Sequence, residues 1–275
     1  MGVTWVDHHL DVAGVRVHLR RAGPDRADGD PVIVLHDAGA DTVDAPAWAL
    51  VADALPVVQV LLPGVGRSTA PPPAADLAWV TGLLAEVVRR CGAEPAVLVG
   101  TSLGGWFAIE TALAHPDAVA RLVLCDTAGL HSPPGYLFGL FTDGQGQAGH
   151  DGLLGPLMDR HGAGRSPAAL HGYAVDLTAA ALGSWNPHAP DPGLLARARR
   201  LTTPTTILWG ARDALIPLAH ARALADAIGG EHGGAVVVCV PGAGHLLAVD
   251  APEVVAGHVT GTVLRSPRCP STPTA

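Results

Sequence analysis

The chain has 275 residues, 48% of them hydrophobic and 15% charged, and that much apolar surface requires a large core, which excludes a disordered chain or a small stapled scaffold. Its 17 basic residues are all arginine, set against 25 acidic residues for a net charge of -8. With no lysine, P-loop nucleotide chemistry and Schiff-base chemistry lack their essential group, and with no basic stripe nucleic acid is not an expected partner.

Residues 3 to 20 alternate through Val12, Val15, Val17 and Leu19 around Gly14, which predicts an antiparallel hairpin. Pro31 opens the apolar run Val32-Ile33-Val34-Leu35, the pattern of a strand buried on both faces, and turn chemistry at His36-Asp37-Ala38-Gly39 breaks it. Val57 to Leu62 is a second such run, closed by Pro63-Gly64-Val65-Gly66-Arg67-Ser68. A helix from about Ala75 to Cys91 leads into Ala96-Val97-Leu98-Val99. An apolar helix then runs to about Ala114 before His115-Pro116 stops it, and Arg121 to Cys125 is the fourth run.

From Leu130 to Leu201 the chain changes to Gly, Pro and His with weak helical periodicity, near Ala168 to Leu182 and Leu194 to Leu201. Strand and helix patterns resume with Thr205 to Gly210, Leu218 to Ile228, Ala235 to Val240 and Pro252 to Leu264, where Asp250 is a candidate cap. Short buried strands alternating with helices call for a mostly parallel sheet covered on both faces. The expected organisation is a core from 1–129 and 203–265, a lid from 130–202, and a frayed tail at 266–275.

Cys91, Cys125, Cys239 and Cys269 lie far apart with no C-x-x-C pair, so neither a zinc framework nor a disulfide scaffold follows. The first ten residues lack the basic start and apolar stretch of a signal peptide, and no apolar run reaches membrane-spanning length. A cytoplasmic, reduced protein with no membrane contact is the expectation. The oligomeric state is left open.

In an open parallel sheet the ligand sits where strands end in loops at their carboxyl side. Gly100-Thr101-Ser102-Leu103-Gly104 follows a buried run and opens an apolar helix, the context in which a G-x-S-x-G turn projects its serine above the sheet. Its flanking glycines answer to close backbone approach. Serine is inert until a base takes its proton, and the base needs an orienting carboxylate. His245, in Pro241-Gly242-Ala243-Gly244-His245, follows the last apolar run, and Asp213, in Gly210-Ala211-Arg212-Asp213, falls between Ser102 and His245 as the order serine, acid, histidine requires. Asp126 at the end of an earlier strand is the rival acid; the chain order favours Asp213 and leaves Asp126 as a cap or turn residue.

These segments, with Val34-Leu35-His36, Leu122 to Gly129, Trp185-Asn186-Pro187 and Trp209, make the chain similar to the α/β-hydrolase superfamily, in its lidded esterase-like branch, from about residue 10 to 264. The resemblance implies Ser102 as nucleophile, His245 as general base, Asp213 as its acid, and an oxyanion hole from the backbone N–H groups of Leu103 and Ala38. The expected substrate pocket is bordered by His36, Asp37, Trp106, Phe138, Trp185 and Leu246, the expected substrate is a small-molecule ester or lactone, and no cofactor or metal is expected.

Three positions depart from the patterns of related families. Relatives usually have glycine where Asp37 stands, and an anion there could weaken oxyanion donors worth roughly 3 kcal/mol each, unless the carboxylate caps a turn. Carbon–carbon hydrolases of ring-fission products commonly carry Asn and Trp where this chain has Thr101 and Leu246, so the comparison favours ester hydrolysis. Carbon–carbon hydrolysis, and a lyase or cyclase on the same scaffold, are the alternatives. Gly144-Gln145-Gly146-Gln147-Ala148-Gly149 satisfies G-x-G-x-x-G but follows no strand, so it reads as a lid loop.

Overall fold

The computed structural model describes residues 2–24, 31–37, 42–130, 191, 193–213, 216–228 and 234–264. The anticipated hairpin is β1 (Val6–Val12) with β2 (Val15–Ala22). Ala13 and Gly14 join them with φ of 49° and 80°, the left-handed pair that matches the twist of a two-residue hairpin.

The chain continues through β3 (Val32–Leu35), α1 (Pro46–Ala52), β4 (Val57–Leu61), α2 (Leu77–Arg90), β5 (Ala96–Thr101), α3 (Leu103–Ala114) and β6 (Val119–Cys125). After the segment 131–190 come α4 (Leu194–Ala198), β7 (Thr205–Gly210), α5 (Ala219–Ala227), β8 (Val236–Val240), α6 (Leu247–Asp250) and α7 (Pro252–Leu264). The eight strands form one sheet in the order β1-β2-β4-β3-β5-β6-β7-β8. Only the pairs β1–β2 and β2–β4 are antiparallel.

The continuous apolar runs have a simple cause. Successive strand residues point to opposite faces, and here both faces are covered. Ile33, Leu35, Leu98, Leu122, Leu124 and Ile207 join the cluster under α2, α3, α4 and α5. Their neighbours Val32, Val34, Val97, Val99, Val123 and Leu208 join the cluster with Trp48, Leu247, Val255 and Val259 of α1, α6 and α7. The edge strand β8 is the exception: Val236 is 60% exposed. Helix α1 was not foreseen, because seven residues rich in Ala give little periodicity; its one local signal is the proline in the first turn, where a missing N–H costs nothing.

The register positions the site. Leu35 pairs with Gly100, Thr101 with Cys125, and Cys125 with Leu208, so the residues that leave β3, β5 and β6 emerge side by side at one edge of the sheet. Of the anticipated lid, 131–190 and 192 lie outside the described residues, while 193–202 are described and carry α4; the anticipated tail, 266–275, lies wholly outside them. No helix among the described residues is long and apolar enough to cross a membrane.

Candidate active site

Ser102 sits between β5 and α3 with φ 52° and ψ -114°. A left-handed backbone at a residue with a side chain costs about 1–2 kcal/mol, and the surroundings hold it there. Its N–H donates to Cys125 O at 2.9 Å, and its carbonyl accepts from Gly105, Trp106 and Ala128 at 3.0, 3.2 and 3.1 Å. The flanking glycines are steric requirements. A Cβ on Gly100 would lie 2.4 Å from Gly104 O, and one on Gly104 would lie 2.5 Å from the carbonyls of both Leu35 and His36. The Ser102 turn is therefore clamped between the start of its own helix and the end of β3.

His245 and Asp213 come from loops that follow β8 and β7. Arg212 N–H donates to Ala243 O at 2.8 Å and Ala211 N–H to Val240 O at 3.0 Å, which ties the two loops together. His245 Nδ1 lies 2.9 Å from Asp213 Oδ2, and His245 Nε2 lies 3.0 Å from Ser102 Oγ. An ionised carboxylate can only accept, so Nδ1 carries the proton and Nε2 is left to accept from the serine hydroxyl. Asp213 is fixed in turn by Ile216 N–H, which donates to Oδ1 at 2.9 Å. All three side chains are at least nine-tenths buried.

One supporting residue was not recognised in the sequence. Asp250 Oδ2 accepts the Gly244 N–H at 2.8 Å, bracing the loop just before His245; the sequence suggested only a cap for α7. No local pattern distinguishes the two uses of an aspartate just before a helix.

His36 donates from Nδ1 to Asp37 O at 2.6 Å and accepts from Leu62 N–H at Nε2 at 3.0 Å. Both ring nitrogens are used by the neutral form, and burial, the dominant cause, holds its pKa below the ordinary histidine value. Asp37 Oδ1 accepts from the Thr42 N–H at 2.8 Å and the Thr42 hydroxyl at 2.7 Å, closing the loop that leaves β3. Leu246 is buried at the start of α6. Trp106 is 1% exposed, and its indole N–H donates to Glu110 at 3.2 Å; Glu110 is ion-paired with Arg197, which also pairs with Asp191. That network joins α3 to the stretch re-entering the core at α4. Ala38, Phe138 and Trp185 lie outside the described residues.

A serine on a clamped strand-to-helix turn, its histidine and acid arriving in later strand-end loops of a mostly parallel sheet, is one arrangement among known families, and the model of the alpha/beta hydrolase family matches residues 8–258. The chain belongs to the alpha/beta hydrolase family. Among the curated proteins it resembles, a pimeloyl-[acyl-carrier protein] methyl ester esterase of Aromatoleum aromaticum is 30% identical over 218 residues, covering 70% of this chain and 84% of the relative. A dihydrolipoyllysine-residue acetyltransferase component of the acetoin cleaving system of Cupriavidus necator is 29% identical over 256 residues, 86% of this chain and 63% of its own length. A 2-hydroxymuconate semialdehyde hydrolase of Pseudomonas sp. is 32% identical over 135 residues, 46% of each chain. The chain thus spans less than two thirds of these last two relatives.

Proposed function

We propose that this alpha/beta hydrolase is a serine esterase, acting on carboxylic esters or lactones of small to medium apolar substrates through an acyl-enzyme. The observation that carries the reading is the unbroken hydrogen-bonded line Ser102 Oγ, His245, Asp213. His245 Nε2 takes the proton as Oγ attacks the ester carbonyl, and the imidazolium so formed is held by the Asp213 carboxylate. The tetrahedral oxyanion falls to the N–H groups of Leu103, at the positive end of α3, and Ala38. Collapse expels the alcohol, which takes the proton from His245. A water then attacks the acyl-serine with His245 again as base, releasing the acid and restoring Ser102.

The Thr42 bonds to Asp37 support a turn-forming role for that carboxylate, which leaves room for ordinary ester hydrolysis. In this reading residues 130–202 form the lid that sets acyl and alcohol size, with Trp106, Phe138 and Trp185 on its apolar lining and His36, Asp37 and Leu246 at its base. The pimeloyl ester esterase among the relatives favours an acyl ester of this kind. Carbon–carbon hydrolysis is the second reading, favoured by the semialdehyde hydrolase likeness.

A graded panel of p-nitrophenyl esters, lactones and one vinylogous diketone separates the two. Ester turnover that Ser102→Ala lowers by roughly 10⁶-fold is expected; turnover of the diketone alone would transfer the assignment to carbon–carbon cleavage.

A further inference from the structure

Asp126 is the first residue after β6, and nothing in the acyl-transfer scheme uses it. Its backbone is left-handed at φ 47° and it is wholly buried, so the fold accepts strain and the cost of burying a carboxyl to keep it there. Oδ1 accepts the Gly210 N–H at 2.8 Å, and the Leu247 N–H also faces the group. Oδ2, equally buried, receives no hydrogen bond.

Besides these backbone N–H groups, Asp126 faces another acid, Asp213, whose side chain is also fully buried. Two ionised carboxylates are both acceptors and repel, whereas one proton between them turns the contact into a hydrogen bond. The surroundings decide which acid keeps it. Asp213 already accepts from the Ile216 N–H and from His245 Nδ1, both of which favour its ionised form. Asp126 is closed off from solvent and no cation faces it among the described residues; burial first, and the Asp213 charge second, push its carboxyl well above the usual range.

We propose that Asp126 is a positioning residue of the triad: a neutral carboxylic acid whose Oδ2–H donates to the Asp213 carboxylate, fixing the acid that orients His245. The role rests on His245 being the general base proposed above. It also explains the separate uses of the two oxygens: Oδ1 accepts from Gly210, in the strand that leads to Asp213, while Oδ2 carries the proton.

Infrared spectra at neutral pH provide a test that needs no turnover. The wild type shows the carbonyl stretch of a protonated carboxylic acid, and Asp126→Asn and Asp126→Ala both lose it. In ester turnover Asp126→Ala falls about ten- to a hundredfold in kcat, the worth of one hydrogen bond to a charged group, with KM little moved. Asp126→Asn restores most of that loss, because its amide donates where the O–H did while its oxygen still accepts from Gly210. If the alanine variant fails to fold, the asparagine variant and the infrared band still decide. Absence of the protonated band, its persistence in Asp126→Asn, or an asparagine variant as inactive as Ser102→Ala would overturn the proposal. A protein that shows the band but cleaves no ester would refute the esterase reading and leave the neutral Asp126 standing.

Discussion

Gly210, at the end of β7, and Gly244, just before His245, meet backbone to backbone: a Cβ on Gly210 would lie 2.1 Å from Gly244 O and 2.7 Å from Ala243 O. This approach lets the loop bearing Asp213 lie against the loop bearing His245. Both loops end parallel strands that share one register, Gly210 opposite Val240.

Gly210→Ala must therefore part the two loops. The expected outcome is a stability loss of at least about 2 kcal/mol, in the range of overpacked sites, and a fall in kcat/KM of about a hundredfold from a displacement near 1 Å. Urea unfolding together with ester kinetics checks both. Retention of full activity would mean that the placing of Asp213 and His245 does not depend on this contact.

The Asp37–Thr42 pair gives a second prediction. Thr42→Val removes the hydroxyl that donates to Asp37 Oδ1 at 2.7 Å and leaves a buried carboxylate short of one donor. A loss of about 1–3 kcal/mol follows, and because the loop leads to Ala38, kcat should drop more than KM rises. Denaturation midpoints and a kcat-against-KM comparison read the two effects.

His36 predicts a pH dependence whose sign is fixed. Its folded pKa lies below the unfolded one, chiefly through burial, so the unfolded chain takes up the proton first. Its contribution to stability is full above the unfolded value of about 6.5 and is lost as pH falls toward the lower folded value, at up to about 1.4 kcal/mol per pH unit. Between about pH 7 and 5, His36→Asn should show a shallower fall of urea midpoint than wild type. Parallel slopes would show that His36 does not titrate on unfolding.

Arg197 ties α4 to α3 through Glu110, which is 5% exposed. Arg197→Ala leaves that carboxylate buried with its main counter-charge gone, at a cost of about 2 kcal/mol after allowing for the partial exposure of Arg197. Glu110→Gln in the same chain should recover part of it. A double-mutant cycle on unfolding free energies tests the coupling, and strict additivity would refute it.

The strands that build the sheet were readable because both faces are buried: Val32 to Leu35 and Ala96 to Val99 are apolar without alternation. The strand-to-helix turn at Ser102 was readable from glycines whose places are dictated by backbone contact, and Asp213 and His245 were candidates from chain order after it. What escaped has long-range causes. The donation from Gly244 to Asp250 and the meeting of Asp126 with Asp213 depend on loops brought together by strand register, which no local pattern encodes. Helix α1 escaped for a different reason, being too short and alanine-rich to declare a period.

Whether His245 activates Ser102 as a nucleophile is decided by intact-protein and peptide mass spectrometry after treatment with a fluorophosphonate. A single adduct on Ser102 is expected, absent in Ser102→Ala and formed far more slowly in His245→Ala. A wild-type protein that stays unlabelled, or one labelled at the same rate without its histidine, would contradict such activation.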